Sequence, residues 1–561
     1  MDKIHSSQQN PALHVVLAFT CLIDALLGLN ANNNNYKMFS KEVSFNMRNF
    51  LQITLFSSLS VLALAGMPAV YAEDLSPLAA AAAKLGVNER APDGSTPLQW
   101  AVYEGDVERV KSLLSEGADI AVANNYGSNA MQLAAEVANT EILELLLDAG
   151  ANADSPNPEG QTALMLVART GNVEAAKLLI SHDATVDARE TWGQQTALMW
   201  ASARRHPEMM ELLLTEGADV DAQSLHRDYK RHVTAEGRAK SMDTGGLTPL
   251  MYAVRENCLS CLEVLIKHEV DLDKPDPDGM SPLVLAIHNG HWDISKRLIE
   301  AGADVDQWDK FGRAALFTAI GGRKENTVMA NDPLNQTDGA TIVRMLLEAG
   351  ANPNMQLYLR PAKARGGPLS RGTTPLIVAA SGGDLDMIRL LLEHGARADL
   401  LQADRQGPVS ALMTARGPED TIDEALRLLV SAGADVNALA SPHHLQRTRG
   451  GTPLHYAVRS GKTKALATLV ELGADLNAKD IDGLTALDHA MSRNQVAFLQ
   501  MRQPPNQKVA DALRALGANV ELDVTPYWPN VGPPFYYPWS VFPLDPAVEA
   551  TALIPGSIDH Q

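Results

Sequence analysis

The chain contains 561 residues, of which 45% are apolar and 20% are charged, and this composition excludes collagen-like and fully disordered acidic proteins. Lysine and arginine number 47 against 67 aspartates and glutamates, so the formal charge of -20 argues against a protein that binds nucleic acid. The three cysteines, Cys21, Cys258 and Cys261, are too few for a disulfide framework or a four-thiolate zinc site.

The first predicted element is a signal peptide over residues 47–72. It begins with the basic Arg48, continues through an apolar run at residues 51–65, and ends in small residues before Glu73. These parts and their order are typical of a secretory signal, so we expect cleavage after Ala72. The chain that follows is therefore predicted to be periplasmic or secreted.

Residues 1–46 precede this signal, and we interpret them as an N-terminal extension that is not translated if synthesis starts at Met38 or Met47. An earlier apolar stretch at residues 13–29 is interrupted by Asp24, which makes it a poor membrane span. An uncleaved anchor formed by one of the two stretches is the alternative, and it also places residues after 72 outside the cytoplasm. Cytosolic residence is the third alternative. Beyond export or such an anchor, we expect no membrane partner.

A short motif recurs from residue 93 onward, as in Asp93-Gly94-Ser95-Thr96-Pro97-Leu98 and Gly451-Thr452-Pro453-Leu454. Threonine caps a helix N-terminus and proline fits the first helical turn, so each copy predicts the start of a helix. Six of the ten steps between copies are 33 or 34 residues long. The threonine-equivalent positions are 96, 129, 162, 196, 248, 281, 314, 374, 410, 452 and 485.

A leucine-rich run follows each motif and ends in Gly-Ala-Asp or Gly-Ala-Asn, where the glycine suits a left-handed helix cap. Asp183 and Glu269 replace that glycine in the third and fifth units, and we expect strain at Glu269. In period and motif the chain resembles the ankyrin-repeat family. The resemblance implies an all-α ankyrin solenoid of eleven helix–turn–helix units with hairpin fingers over residues 93–522. It also implies a binding module without intrinsic chemistry.

The two ends of the repeat array have their own compositions. Residues 73–92 are predicted to hold a capping helix that starts at Ser76 and Pro77. The C-terminal tail, residues 523–561, is rich in proline and aromatic residues and favours extended backbone. We expect it to dock, either as a strap over the last repeats or as a ligand for a partner's aromatic groove. Disorder is the remaining alternative.

Insertions interrupt the regular period at four places. Three of them, at residues 223–244, 355–371 and 438–450, fall where the resemblance places the hairpin fingers, whereas residues 321–337 fall between two helices of one unit. The three finger insertions carry eleven cations against three acids, although the chain is acidic. They predict a basic strip for an acidic protein partner, with simple loop solubility as the alternative. The candidate partner-binding residues are Arg227, Lys230, Arg231, Arg360, Lys363, Arg365, Arg447 and Arg449.

Cys258 and Cys261 form the one compact cysteine pair, at the start of a predicted second helix where a thiolate would be stabilised. Core packing and a redox-active or bridged pair are both open interpretations. The adjacent His443 and His444 have no acidic or thiol companion, so no metal site is predicted. Trp100, Trp200, Tyr252 and Tyr456 recur at one motif position and are interpreted as core residues.

The sequence shows no phosphate-binding glycine loop, nucleophile elbow or zincin helix, so we predict no catalytic residue and no cofactor. The function expected is a non-enzymatic interaction module that binds a macromolecular partner through its concave face and basic fingers. Two alternatives stay open. One is a scaffold or chaperone-like companion of an exported enzyme, and the other is a thiol–disulfide active protein that uses Cys258 and Cys261.

Overall fold

The helical hairpin is the building unit of this protein in the computed structural model. The structure describes residues 85–227, 245–325, 337–358, 371–440, 451–480, 483–491 and 505–519, with backbone alone for 322–325. The chain divides into two compact units, residues 1–86 and 87–561, and the described helices all lie in the second. They fall into eleven pairs, which confirms the number of repeats predicted.

The helices of the first six pairs are α1 (Pro97–Glu104) and α2 (Val107–Ser115), α3 (Ala130–Glu136) and α4 (Thr140–Asp148), α5 (Ala163–Thr170) and α6 (Val173–Ser181), α7 (Ala197–Ala203) and α8 (Pro207–Thr215), α9 (Pro249–Arg255) and α10 (Leu259–Lys267), α11 (Pro282–Asn289) and α12 (Trp292–Glu300). The other five pairs are α13 (Ala315–Glu325) and α14 (Gly339–Glu348), α15 (Pro375–Gly382) and α16 (Leu385–Glu393), α17 (Pro408–Thr414) and α18 (Glu419–Ser431), α19 (Pro453–Ser460) and α20 (Thr463–Glu471), α21 (Ala486–Ala490) and α22 (Gln507–Ala515).

The recurring motif starts the first helix of each pair in the predicted way. The Thr96 hydroxyl accepts a hydrogen bond from the Gln99 N–H, and the Gln99 side chain accepts one from the Thr96 N–H. Pro97 occupies the first helical turn, where its missing N–H costs nothing. Second helices use Asp or Asn instead, as at Asp106 and Asn139. In these repeats both helices therefore begin at a side chain that satisfies an otherwise unpaired backbone donor, whereas α8, α12, α17, α18 and α20 begin without such a bond.

The ninth repeat departs from the sequence prediction. We expected its cap at position 410, but α17 begins at Pro408 and its N-cap is Gly407, which has no side chain to offer. Ser410 lies inside the helix, and its buried hydroxyl lacks a hydrogen-bond partner in the described chain. The prediction was wrong because it favoured a hydroxyl residue over the proline that fixes the first turn.

Neighbouring repeats pack helix on equivalent helix. First helices contact the next first helix from α1 through to α21, and second helices contact the next from α2 to α14 and from α16 to α22. The shared core lies between these two rows, where Ile142, Leu143 and Leu146 of α4 have no exposed surface. The contact of α7 with α9 spans the insertion at residues 223–244, so that insertion leaves the stacking of first helices intact.

No helix in the part of the chain that the structure describes combines the length and the apolar character needed to span a membrane.

Backbone conformation at the ends of the second helices follows the sequence prediction. The Gly-Ala glycines are left-handed, with φ of 87° at Gly117 and 93° at Gly302. Asp183 and Glu269 occupy the equivalent position at φ of 63° and 57°, which confirms the expected strain at Glu269. A residue other than glycine in this left-handed conformation destabilises the folded chain, because its Cβ approaches the following carbonyl oxygen.

We predict that Glu269→Gly stabilises the fifth repeat by about 1 kcal/mol and that Gly302→Ala destabilises the sixth by a similar amount. No atom lies within 4 Å of a Cβ built on Gly302, so the effect of that substitution comes from the backbone alone. Amide hydrogen exchange in α10 and α12 reports the local change. Unchanged exchange in both variants would contradict the strain argument.

Candidate functional site

We use the word finger for the loop that leads from a second helix to the next first helix. The three finger insertions leave from short backbone pairings, which confirms their predicted location. His226 pairs with Gly245, the Leu357 N–H donates to Thr373 O, and the Ala440 N–H donates to Gly451 O. The described residues on either side of each insertion therefore pair with one another.

Backbone hydrogen bonds join neighbouring fingers into a row. The Thr191 N–H donates to Glu159 O at 2.8 Å, and the Leu225 N–H donates to Gly193 O at 2.6 Å. Farther along the chain, the Tyr358 N–H donates to Phe311 O at 2.9 Å. These bonds align the finger tips of successive repeats, so side chains on adjacent tips lie side by side.

The finger tips expose large aromatic side chains. Trp192 is 73% exposed, Tyr126 is 55% exposed and Tyr358 is 45% exposed. The Arg227 guanidinium lies 4.6 Å from the centre of the Trp192 ring and also donates to the Trp192 carbonyl. Exposed rings with a stacked arginine are typical of protein interfaces, where aromatic and arginine side chains contribute most of the binding free energy.

The first helices carry matching pairs just below the fingers. Arg169 of α5 lies 5.8 Å from the ring centre of Trp200 in α7, and Arg255 lies 4.9 Å from that of Tyr252 in α9. The Gln195 side-chain amide donates to the Tyr252 hydroxyl at 2.5 Å and so joins a finger to a first helix. We call the resulting area the floor–finger surface. Its members are Arg169, Trp192, Trp200, Arg204, Arg227, Tyr252 and Arg255.

The aromatic motif position differs in part from its prediction as core. Tyr252 and Tyr456 are buried at 6% and 2% exposure, whereas Trp100 and Trp200 are only half-buried. The enclosed indole N–H groups of both tryptophans lack an acceptor within the described residues. The reason is that this position lies at the boundary between the core and the face of the first helices, so larger rings reach the surface.

Charge on the floor–finger surface is concentrated and partly shielded from water. Burial lowers the pKa of Arg169 from its ordinary value, and the neighbouring positive charge of Arg204 lowers it further, while Glu136 opposes both effects. Burial likewise raises the pKa of Glu136. Two like charges held together at a partly dry surface favour the binding of an anion between them.

A row of aspartates lies in the same loops as the finger tips, at the edge next to the second helices that these loops follow. The Asp304 N–H donates to the Asp273 carboxylate at 2.7 Å, and the Asn352 N–H donates to that of Asp306 at 2.8 Å. Burial, followed by neighbouring acids, raises the pKa of both carboxyl groups. We call this edge the aspartate ladder; it repels acidic molecules.

Of the eight predicted partner-binding cations, Arg227 lies within the described residues. The others, Lys230, Arg231, Arg360, Lys363, Arg365, Arg447 and Arg449, lie outside them, as do His443, His444, the signal peptide, the Ser76 cap and the tail. The arginines of the first helices were missed by sequence reasoning, which searched the insertions for charge. Their signal was available, because Arg169, Arg204 and Arg255 recur seven or eight residues after the helix caps Thr162, Thr196 and Thr248.

Cys258 and Cys261 are joined by a disulfide bond with their Cα atoms 5.2 Å apart. Cys258 caps α10, and its sulfur accepts the Cys261 N–H at 3.2 Å. Both residues also belong to the core, at 2% and 0% exposure. The two interpretations left open by the sequence are therefore combined here, since the pair is bridged and packed. Thiol–disulfide exchange requires an accessible sulfur, which this burial denies.

A buried polar cluster at the tenth and eleventh repeats was not predicted. Nitrogen and carboxylate atoms of His455, Asp480 and His489 all lie within 4.8 Å of one another, close enough to hold a metal ion. The His489 Nε2 lies 2.8 Å from the Asp480 carboxylate. The His455 Nδ1, however, accepts the Thr452 N–H at 3.1 Å, so the proton is assigned to its Nε2, which donates to Leu484 O. His455 consequently has no lone pair left for a metal.

The role of His455 is that of a helix-capping residue. Gln99 and Gln132 occupy the same motif position, and each accepts the N–H of its cap residue while donating to a carbonyl of the next repeat. His455 therefore makes the hydrogen bonds that glutamine makes at this position, but through a ring that can be protonated. Burial, followed by the charge of His489, lowers the pKa of His455 to about 4, although Leu484, Asp480 and Asp488 oppose the shift.

We predict that His455→Gln reduces the loss of stability on acidification. In the unfolded chain this histidine takes up a proton as pH falls through about 6.5, whereas the folded protein resists until about pH 4. Stability from the neutral ring is thus fully present above about pH 6.5 and is lost as pH falls through this window. Between pH 7.5 and about pH 5, we expect the wild type to lose about 1–2 kcal/mol more unfolding free energy than the variant.

Denaturant midpoints measured from pH 7.5 to 4.5 test this expectation, and His394→Gln on the exposed end of α16 is the matched control. Parallel pH curves for the wild type and His455→Gln would contradict the assignment of the shift to His455.

Comparison with known proteins gives consistent matches to repeats of one type. The family model described as "Ankyrin repeats (3 copies)" matches residues 67–157, 133–224, 230–309, 250–330 and 335–440, and the one described as "Ankyrin repeats (many copies)" matches residues 454–501. Together these matches cover more than half of the chain.

Similar proteins share only part of their length with this chain. An "Ankyrin repeat, SAM and basic leucine zipper domain-containing protein 1" of Dasypus novemcinctus is 38% identical over 104 residues, or 18% of this chain and 20% of that protein. "Ankyrin repeat protein nuc-2" of Neurospora crassa is 30% identical over 136 residues, or 24% of this chain and 12% of that protein. The chain thus spans about a fifth or less of these two relatives.

Among solved structures, the ankyrin repeat domain of Bcl-3, described as a unique member of the IkappaB protein family, matches with 27% identity and a TM-score of 0.34, covering 40% of this chain and 94% of that one. The human ASB11 ankyrin repeat domain matches with 19% identity and a TM-score of 0.35, covering 46% of this chain and 100% of that one. From the family matches and the eleven stacked helix pairs, the chain belongs to the ankyrin-repeat family.

Proposed function

We propose that the mature chain is an exported, non-enzymatic binding protein that holds a protein partner on the floor–finger surface. Ankyrin repeats are protein–protein interaction modules, and no catalytic family matches this chain. The observation that carries the proposal is the set of three arginine–aromatic stacks on Trp192, Trp200 and Tyr252. Trp192 is exposed and Trp200 is half-buried, so these two pairs present ring area and charge together, which is the composition of binding hot spots, while the buried Tyr252 holds Arg255 in place.

The position of these side chains supports the same proposal. Folding is driven by the core between the two helix rows, so Trp192, at 73% exposure, contributes little to it. A large ring held in water on a rigid, hydrogen-bonded finger contributes binding free energy when a partner covers it. The surface is pre-organised, because the hydrogen bonds between fingers and the Gln195 contact hold its side chains in place before binding.

Two features support export. Residues 47–72 have the basic start, apolar run and small cleavage residues of a signal peptide. The Cys258–Cys261 disulfide is suited to an oxidising compartment, where such bonds persist. Because both sulfurs are buried, the bond supports a structural role in an exported protein more than a thiol-exchange activity.

Replacing both Trp192 and Arg227 by alanine is predicted to weaken partner capture by about 30-fold or more, the effect of losing a hot spot of about 2 kcal/mol. The mature wild-type chain is immobilised as bait and captures partners from the exported fraction. Each captured protein is then titrated against the wild type, the double variant and a control variant. The control is Arg344→Ala, an exposed arginine on the second helix α14. Equal affinities for all three baits would place the partner elsewhere.

Export has its own test. Leu62→Arg, in the middle of the predicted signal, should retain the chain in the cytoplasm because a charge there interrupts the apolar run. Leu22→Arg, in the earlier apolar stretch, is the matched control and should leave export unchanged. Cell fractionation gives the location, and mass spectrometry of the exported protein should find its N-terminus at Glu73. Retention by both substitutions, or by neither, would contradict the predicted signal.

A further inference from the structure

We propose that the floor–finger surface of the third to fifth repeats binds an extended acidic segment whose carboxylates recur at every third residue. This inference rests on the proposed function and specifies its partner. It follows from the spacing of three arginines, from the stacking of two of them on rings and from the distribution of charge over the repeats.

The spacing comes from the stacking of first helices. Arg169, Arg204 and Arg255 lie at or just beyond the C-terminal ends of α5, α7 and α9, and α7 contacts both of the other helices. Axes of packed helices lie about 8–10 Å apart, so the helix ends that carry successive arginines lie about one such step apart. An extended chain advances about 3.1–3.4 Å per residue, and three residues therefore match one repeat.

The stacked arginines present their donors outward. Arg169 lies over Trp200 and Arg255 lies over Tyr252, so the ring faces hold the guanidinium planes in fixed orientations. A flat guanidinium keeps its N–H groups at the edges of the plane, where a carboxylate can accept two parallel hydrogen bonds. In Arg255 the Nε already donates to Glu256 at 3.0 Å, which leaves its terminal N–H groups for a ligand.

The charges around these arginines favour the binding of an anion. Arg204 is exposed beside Arg169, and their mutual repulsion is relieved when a carboxylate binds between them. Glu136 and Glu256 border the arginines and limit the size of the positive area. Next to the second helices, the aspartate ladder repels the same ligand, so an acidic segment is directed to the arginines at the ends of the first helices.

An extended segment also fits the exposed rings. In polyproline II geometry the chain has three residues per turn, so an acid at every third residue places all carboxylates on one side. Proline residues between them present the flat apolar edges that dock on aromatic side chains such as Trp192 and Trp200. Nucleic acid shares negative charge and stacking with this ligand, but the formal charge of -20 on the whole chain disfavours a polyanion of that size.

The test uses a fluorescent peptide of about fifteen residues with glutamate at every third position and proline elsewhere. Its isomer has the same composition with the glutamates contiguous, so the two differ only in register. Fluorescence anisotropy against the mature full chain should show that the spaced peptide binds about tenfold more tightly than the isomer, or better. Arg169→Gln with Arg204→Gln should remove that preference.

Two further variants keep the result interpretable. Arg255→Gln, at an exposed position, should also weaken the spaced peptide by several-fold, and Arg344→Gln makes the same charge change on α14 and should not. Circular dichroism verifies folding of each variant. Equal affinity for the two peptides, no binding, or tighter binding of a single-stranded oligonucleotide of equal charge would each overturn the inference. If partner capture still depended on Trp192 and Arg227, the proposed function would stand although the inference about the acidic segment had failed.

Discussion

The stacking of helix pairs is the constraint on which the rest of this structure depends. A single repeat has two short helices whose apolar sides cannot be covered within the repeat, and they are buried only by the equivalent helices of the next one. Because stability arises from contacts between neighbouring repeats, the fingers that connect them can vary in length without loss of that stability. This explains why the chain tolerates 52 residues between Thr196 and Thr248 while α7 and α9 remain in contact.

The local rules of helix ends made much of the fold predictable. Thr96, Pro97 and Gly302 act through their own backbone and the next few residues, so their effects can be read from sequence. Even the strained position at Glu269 was predictable, since only the residue type had changed in a fixed pattern. The ninth repeat shows the limit of such rules, because Gly407 and Ser410 compete for one role and the neighbouring proline decides between them.

The candidate site was less predictable because its contacts join different repeats. Arg169 meets Trp200 only when α5 packs on α7 in the correct register, and Asp480 meets His489 only when the loop before the eleventh repeat returns on α21. Neither pair is adjacent in sequence. Charge counting directed attention to the insertions, which carry eleven cations against three acids. The arginines at the ends of the first helices are fewer, but they have the better-defined geometry.

Stability and recognition are assigned to different residues of the same motif. The position after Pro and Leu holds Gln99, Gln132 or His455, and these residues make equivalent hydrogen bonds, so it is reserved for folding. The next position holds Trp200 in one repeat and Tyr252 in another. The larger Trp200 ring reaches the face of the first helix, and the buried Tyr252 ring supports Arg255 on that face. Repeats that are capped in the same way can therefore present different side chains on their surface, spaced one repeat apart. Since those intervals match three residues of an extended ligand, such a surface can contact every third residue of a linear segment without any change to the core.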